Sequence, residues 1–167
     1  DLPNRGTLTF KNSVSDASKS ADIIIEAVPE RLSAKQSVYD EIELSANNNV
    51  IIASSTSGIL PSDLQAKMKH PERLIVAHPF NPVYLLPLVE IVGGSKTSKE
   101  LIERASSIFT NVGMFPLHIK KEIPAFIADR LLESVWREAL WLVNDDVATT
   151  EESEEHTSEL QSRAYLV

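Results

Sequence analysis

The chain is short of the residues that mark several classes of protein. It has no cysteine, which excludes disulfide bonds and is compatible with a reducing cytosol. No apolar run approaches the roughly 20 residues that a membrane-spanning helix needs. The 16 basic residues form no cluster and are outnumbered by 24 acidic ones, giving a net charge of −8. These absences argue against nucleic acid and membranes as partners.

Glycine is scarce too, and one glycine-rich motif is missing. A doubly wound dinucleotide-binding domain begins with a strand and a G-x-G-x-x-G phosphate turn, followed by an acidic residue about 20 positions later. The chain contains five glycines and no such motif. We therefore do not expect a complete domain of this kind in these 167 residues.

The chain does contain an alternation of short apolar runs and helical patterns. With 43% hydrophobic residues, it can form the core of one ordinary domain. Candidate strands cover residues 7–10, 22–27, 50–53, 74–77, 88–92 and 114–119, and candidate helices cover 31–47, a short stretch from 61, and 99–110. Ser62 with Gln65 and Thr97 with Glu100 indicate capping boxes. Uniformly apolar strands in βαβαβ order predict an α/β fold with a parallel sheet covered on both faces.

The pattern changes after Pro124, where one long helix is predicted. Apolar residues recur at helical spacing, at positions 127, 131, 135, 139 and 142, and proline suits the first turn of a helix. An all-helical domain is therefore expected to begin here. The chain supplies only its first helix, whose apolar stripe has nothing in the remaining sequence to cover it.

The densest group of chemically useful side chains lies between positions 77 and 94. His78 follows the apolar run 74–77, so its ring is expected where a buried strand emerges into a loop. Glu90 lies inside the apolar run 88–92, and a buried carboxylate without a partner costs several kcal/mol or more. The proline-rich turn between the two runs can bring these side chains together. A histidine held by a glutamate is the usual arrangement of a general base.

These motifs resemble those of a known family. His-Pro-Phe-Asn-Pro at 78–82, followed by Pro-Leu-Val-Glu at 87–90, is similar to the signature of the 3-hydroxyacyl-CoA dehydrogenase superfamily. Within it, the resemblance is greatest to the branch of L-carnitine 3-dehydrogenases, and it covers residues 7–152. The resemblance implies a Rossmann-like doubly wound parallel sheet, an NAD cofactor, and transfer of a hydride from the C3 carbon of a 3-hydroxy acid derivative.

The resemblance also implies a role for each residue that matches a family motif. His78 would be the base for the hydroxyl proton, and Glu90 would hold its ring and stabilise the imidazolium. Ser57, at the end of a Ser-Ser-Thr-Ser turn, would hydrogen-bond the reacting oxygen, and Asn81 would position substrate and nicotinamide. Simpler alternatives are a structural histidine, a Glu90 paired with a lysine, and a serine that belongs to a helix-capping turn.

Two further residues match family positions that contact the NAD half nearest the chemistry. Glu30 and Lys35 follow the strand that ends at Glu26-Ala27-Val28-Pro29. The alternative interpretation is an ordinary solvated helix start. His70 and His118 are predicted to be surface residues, without a part in the chemistry.

One departure from the family pattern bears on the substrate. Acyl-CoA members usually carry Asn at the position of Asp129, and a carboxylate there suits a cationic ligand better than a CoA thioester. Carnitine carries a trimethylammonium group, which also favours aromatic faces. The aromatic residues available for such a face are Tyr84, Phe126, Trp136 and Trp141. For both tryptophans, packing in the core or at a subunit interface is the favoured alternative, and Asp129 could instead pair with Arg130.

The resemblance gives an expected domain organisation. Residues 1–121 would be a partial NAD-binding Rossmann domain that lacks its first strand, phosphate turn and second strand, and residues 122–152 would begin a helical domain for substrate binding and dimerisation. Residues 153–167 include Ser-Glu-Glu-His-Thr-Ser-Glu-Leu-Gln-Ser-Arg, which resembles the translation of a sequencing-library adapter. We expect a non-native tail there, with a genuine acidic tail as the alternative.

The expected function is NAD-dependent oxidation of L-carnitine to 3-dehydrocarnitine by a cytoplasmic homodimer, of which this fragment alone would be inactive. The expected partner is thus a small-molecule substrate, without a metal. L-gulonate and short 3-hydroxyacyl-CoA esters remain alternative substrates. An alternative of another class is a non-catalytic relative that keeps the fold, as crystallin-like members do. The intact set of His78, Glu90, Ser57 and Asn81 argues against that alternative.

Overall fold

The computed structural model describes residues 6–152, which form a sheet of five strands and the helices around it. The strands are β1 (Ile23–Glu26), β2 (Ile51–Ser54), β3 (Leu74–Pro79), β4 (Leu88–Gly93) and β5 (Phe115–Ile119). The helices are α1 (Val14–Ser18), α2 (Leu32–Ser45), α3 (Pro61–Gln65), α4 (Lys99–Asn111) and α5 (Ala128–Asn144), with a short 3-10 turn at Pro71–Arg73. The α/β architecture predicted from the sequence is confirmed.

The five strands lie in sequence order across the sheet, but the sheet is mixed rather than parallel. Strands β1, β2 and β3 run parallel to one another, β4 runs antiparallel to β3, and β5 runs parallel to β4. The prediction of a parallel sheet is therefore wrong at the β3–β4 pair. The reason is the connection at residues 80–87, because a parallel pair needs a crossover of a dozen residues or more.

One face of the sheet packs against α4 and forms an apolar core. Successive side chains of a strand point to opposite faces, so alternate residues of β2, β3 and β4 contribute to it. Its buried members are Ile51, Ala53, Ile75, Ala77, Val89 and Ile91 from the strands and Ile102, Ala105 and Phe109 from α4. Such burial is worth about 1.5–3 kcal/mol for each large side chain.

The opposite face of the same strands carries the polar groups. Glu26 pairs in register with Ser54, and His78 pairs with Glu90. All four side chains are buried, at positions that alternate with the α4-facing core. The pleat of the sheet therefore separates the apolar core from a face that contains two buried carboxylates and an imidazole.

Several local predictions are corrected by the structure. Residues 7–10 form no strand, and their large side chains Leu8 and Phe10 are exposed, because no neighbouring strand of residues 6–152 pairs with them. The N-cap of α4 is Ser98, whose hydroxyl accepts from the Leu101 amide, and the Thr97 hydroxyl donates to the Leu74 carbonyl instead.

The capping box predicted at α3 is also wrong. Leu60 occupies the N-cap, with no side-chain hydrogen bond to the helix. Ser62 is bound to a residue distant in sequence, because its hydroxyl and its amide donate to the two oxygens of Glu122, at 2.5 and 3.0 Å. This side chain therefore ties α3 to the segment that follows β5.

The chain divides into two compact units, Asp1–Pro124 and Ala125–Val167. The described part of the second unit contains α5, in which no residue is buried. Its exposed large apolar residues are Leu131, Leu132, Val135, Trp136, Leu140, Trp141 and Leu142. Within residues 6–152, no helix combines the length and apolarity needed to cross a membrane. The tail from 153 lies outside the described residues.

Candidate active site

The site is built around His78 and Glu90, which face each other across the antiparallel strands β3 and β4. Their Cα atoms are register partners, and His78 Nδ1 lies 2.9 Å from Glu90 Oε2. The Glu90 side chain is fully buried and that of His78 is 10% exposed. The pairing predicted from the proline-rich turn is thus confirmed.

This hydrogen bond fixes the chemistry of the imidazole ring. An ionised carboxylate can only accept, so Nδ1 carries a proton and donates it to Glu90. In the neutral ring, Nε2 then holds the lone pair. When the ring takes up a second proton, the buried Glu90 carboxylate supplies a counter-charge at hydrogen-bonding distance. A histidine arranged in this way can act as a general base through Nε2.

The other candidate residues, Ser57 and Asn81, lie in loops at the edge of the sheet where β2 and β3 end. Strands β1, β2 and β3 run parallel, so their carboxyl ends lie at one edge, and the antiparallel β4 begins there. Ser57 follows β2 in an exposed turn, and Asn81 is exposed in the loop after β3. The Phe80 ring, in the same loop as Asn81, lies beside His78, with its centroid 5.6 Å from that of the imidazole.

Sequence reasoning missed Glu26, the last residue of β1. One of its oxygens accepts from the Lys35 ammonium at 2.9 Å and from the Val28 amide at 2.8 Å. The other accepts from the Tyr39 and Ser54 hydroxyls, each at 2.7 Å. The signal was present, because Glu26 ends an apolar run in the same way that Glu90 interrupts one.

Lys35 is buried, which rules out a solvated helix start for this residue. Its side chain is 1% exposed, and its ammonium lies 2.9 Å from Glu26 and 3.3 Å from Glu30. Burial of the Tyr39 hydroxyl beside Glu26 raises the pKa of Tyr39 far above its ordinary value. The tyrosine therefore remains a neutral donor at any physiological pH.

Glu30 is the half-exposed member of this group, with 48% of its side chain accessible. Its carboxylate accepts from the Thr56 hydroxyl and lies beside Lys35. Partial burial alone raises the pKa of Glu30, but the Thr56 hydrogen bond, the Lys35 charge and the Ser57 amide together lower it below its ordinary value. Glu30 is therefore an ionised acceptor, fixed at the carboxyl edge of the sheet.

The remaining candidates lie elsewhere. Asp129 lies in the first turn of α5, in the unit that begins at Ala125. Of the aromatic residues, Tyr84, Trp136 and Trp141 are exposed, whereas Phe126 is completely buried and offers no open face. His118 is exposed and His70 is about half exposed, as predicted. Among residues 6–152, no group of three or more potential ligands could hold a metal ion.

Comparison with known proteins identifies the family of this chain. The sequence model of the 3-hydroxyacyl-CoA dehydrogenase, NAD binding domain, matches residues 4–123. The chain belongs to this family. The family cofactor is NAD, and the residues present are compatible with such a ligand, because Glu30 offers an ionised carboxylate, an acceptor for hydroxyl groups, at the carboxyl edge of the sheet.

Named relatives within this family are longer than the chain. L-carnitine dehydrogenase of Oceanobacillus iheyensis is 59% identical over 149 residues, which are 89% of this chain and 48% of that protein. L-carnitine dehydrogenase/betainyl-CoA thioesterase of Rhizobium meliloti is 59% identical over 150 residues, which are 90% of this chain and 30% of that protein. The chain thus spans half or less of the curated relatives that it matches.

A solved structure extends the likeness to the backbone. The NAD+-dependent 5-formyl-3-hydroxy-2-methylpyridine 4-carboxylic acid 5-dehydrogenase superposes with a TM-score of 0.87 at 35% sequence identity. The match covers 91% of this chain and 49% of that one. The family fold is therefore present in this chain together with the histidine–glutamate pair.

Proposed function

We propose that the protein containing this chain oxidises the 3-hydroxyl group of L-carnitine to 3-dehydrocarnitine, with NAD as the hydride acceptor. The main support is the hydrogen bond between His78 and Glu90 at the sheet edge where family ligands bind. The 59% identity to L-carnitine dehydrogenases supports the choice of substrate.

In this proposal His78 is the general base. Its Nε2 takes the proton of the substrate hydroxyl while the hydride leaves C3, so that the C–O bond becomes a carbonyl. Bound NAD supplies the hydride acceptor. Glu90 holds the ring through Nδ1 and stabilises the imidazolium that results. The buried position of Glu90 strengthens this charge interaction, because the local dielectric is low.

Ser57 and Asn81 complete the proposed substrate site. The Ser57 hydroxyl donates to the oxygen that becomes the carbonyl, and the Asn81 carboxamide orients substrate and cofactor. Both side chains are exposed at the carboxyl edge and can therefore reach a ligand. Glu30 accepts hydrogen bonds from the cofactor, and the buried Lys35 ammonium holds the Glu30 carboxylate in place.

The choice of carnitine rests additionally on Asp129. A carboxylate in the first turn of α5 suits the trimethylammonium group of carnitine. We expect Asp129→Asn to raise the KM for L-carnitine roughly tenfold, equivalent to about 1.4 kcal/mol. An unchanged KM in steady-state kinetics would remove Asp129 from the substrate site.

The proposal includes a cytoplasmic homodimer formed through the helical domain. It is supported by the exposed apolar side chains of α5, which include Leu132, Val135 and Trp136. Light scattering on the full-length protein tests the dimer, and a monomer at micromolar concentration would contradict it. Binding to nucleic acid or anionic membranes is not expected at a net charge of −8.

The decisive assay follows NADH formation by the full-length protein with three substrates side by side. We expect turnover of L-carnitine and little with L-gulonate or 3-hydroxybutyryl-CoA. Turnover of only one of those rivals would retain the His78–Glu90 base and exclude a contact between Asp129 and a cationic substrate. NADH binding without turnover of any of the three would favour a non-catalytic, crystallin-like relative.

A further inference from the structure

The proposed chemistry assigns no role to the buried carboxylate of Glu26. It lies at the carboxyl end of β1, with 3% of the residue exposed, and accepts four hydrogen bonds. A carboxylate with two donors on each oxygen cannot turn toward a ligand. Whatever it does for function must therefore pass through a neighbour.

That neighbour is Lys35, which joins a buried carboxylate to a half-exposed one. Its ammonium contacts Glu26 at 2.9 Å, the Val28 carbonyl at 3.3 Å and Glu30 at 3.3 Å. Glu26, the buried partner of Lys35, thus fixes the position of the ammonium. Without that anchor, the four-carbon stem of a lysine allows many positions for its charge.

The chain of contacts continues from Lys35 to the turn that carries Ser57. Glu30 accepts from the Thr56 hydroxyl, and the Thr56 oxygen in turn accepts from the amides of Gly58 and Ile59, at 3.3 and 3.0 Å. Four side chains therefore connect the ends of β1 and β2: Glu26, Lys35, Glu30 and Thr56.

Stability alone is a poor explanation for this arrangement. Replacing a buried ion pair by apolar residues of similar volume is often neutral or even stabilising, because removing two charges from water is costly. Apolar side chains could therefore fill the space between β1 and α2, as they fill the space between the same sheet and α4. The buried Lys35 ammonium beside Glu30 is explained if the Glu30 carboxylate has to be held in place for a ligand.

We infer that Glu26 is a positioning residue for the cofactor, which holds the Lys35 ammonium where it fixes the Glu30 carboxylate for NAD. The inference rests on the proposed contact between Glu30 and NAD. Glu26 itself touches no ligand, and its effect on the cofactor is transmitted by Lys35.

A double-mutant cycle on NADH affinity tests the inference in the full-length protein. We expect Glu26→Gln to weaken NADH binding about tenfold and Lys35→Met to weaken it at least as much, measured by NADH fluorescence. Because Glu26 acts through Lys35, the double variant should bind no more weakly than Lys35→Met alone. At saturating NAD, kcat should change less than about threefold, since KM and kcat report different steps.

Tyr39→Phe is the matched control for a purely structural effect. It removes one hydrogen bond from the same carboxylate and leaves Lys35 untouched. We expect a lower Tm with NADH affinity within about twofold of wild type. If Glu26→Gln does not fold, Glu26→Asp retains the charge but withdraws it from Lys35, and should still weaken NADH binding several-fold.

Two results would overturn the inference while leaving the proposed function intact. One is an unchanged NADH affinity in the Glu26 variants, and the other is simple additivity of the Glu26→Gln and Lys35→Met losses. Glu30→Gln tests the proposed contact between Glu30 and NAD by itself. If Glu30→Gln leaves NADH affinity unchanged, the contact of Glu30 with NAD is wrong and the inference fails with it.

Discussion

At the residue scale, the proposed action of His78 as a base depends on the charge of Glu90 next to it. We expect His78→Gln to lower kcat about 10²- to 10⁴-fold, the usual contribution of a general base. Glu90→Gln preserves an acceptor for Nδ1 but removes the counter-charge of the imidazolium. A hydrogen bond to a charged group contributes about 1.5–3 kcal/mol, so kcat should fall roughly 10- to 100-fold.

Steady-state kinetics of both variants tests whether His78→Gln loses more kcat than Glu90→Gln does. NADH affinity is the control. The Lys35–Glu30 ion pair is retained in both variants, so NADH binding should stay within about twofold of wild type. A Glu90→Gln variant with the kcat of wild type would show that the carboxylate does not assist the base. Equal losses of kcat and NADH affinity would point to a folding defect.

Glu30 offers a test through its titration. Its pKa lies below the ordinary value of 4.5, so its contribution to stability is present above about pH 4.5 and is lost as pH falls through the lowered native pKa. Thr56→Val removes a hydrogen-bond donor, and we expect the pKa of Glu30 to rise toward 4.5. Carboxyl-carbon NMR titration measures this shift.

Ser57→Ala is the control for that titration, because Ser57 contacts Glu30 through its backbone amide rather than its hydroxyl. The pKa of Glu30 should be the same in Ser57→Ala and wild type. An identical pKa in Thr56→Val would mean that the Thr56 hydroxyl does not hold the carboxylate in solution.

The contacts of a single residue were predictable where the sequence places a charged side chain inside an apolar run, because such a side chain needs a partner when it is buried. Glu90 interrupts an apolar strand, and its nearest possible partner along the chain was His78, which the structure confirms. Glu26 follows an apolar run as well, but its partners Lys35, Tyr39 and Ser54 come from α2 and β2. Contacts made across separate elements leave no local spacing to recognise, so this network was missed.

At the scale of elements, the close approach of β4 to α3 depends on Gly94. A Cβ atom added there would lie 2.9 Å from the Ser62 backbone nitrogen and collide with the Gln65 side chain. We expect Gly94→Ala to destabilise the protein by about 1–3 kcal/mol, the usual range for overpacking. Thermal unfolding of the full-length protein without ligand should show the lower Tm.

Gly58→Ala provides the matched substitution at an open position, because an added Cβ meets no atom within 4 Å. Its stability should differ from wild type by no more than about 0.5 kcal/mol. If both alanine variants lowered Tm equally, the loss would come from glycine flexibility in general. The close packing of β4 on α3 would then have no measurable effect.

The elements themselves were largely predictable, and their errors have physical causes. The five apolar runs from residue 22 onward all became strands, because buried strands need uniform hydrophobicity. Strand direction was misjudged at β4, although the short connection at 80–87 already favoured an antiparallel pair. Residues 7–10 have a strand-like composition, but a strand also requires a neighbour that provides hydrogen bonds.

At the scale of the whole molecule, the polar groups of β1 to β4 share one sheet face and converge on one edge. The histidine–glutamate pair lies on β3 and β4, and the Glu26–Lys35–Glu30 group lies on β1, α2 and the loop between them. The family match places an NAD-binding domain on these residues. Because the matched residues make up only 30% and 48% of two curated relatives, activity has to be measured on the full-length protein.

The measurement that tests the central claim most directly uses L-carnitine deuterated at C3 with the full-length protein and NAD. If hydride passes from C3 to the cofactor, the NADH formed carries the deuterium, and mass spectrometry detects it. His78→Gln should form the same labelled product far more slowly. NADH without deuterium, or no NADH from L-carnitine at all, would contradict the account.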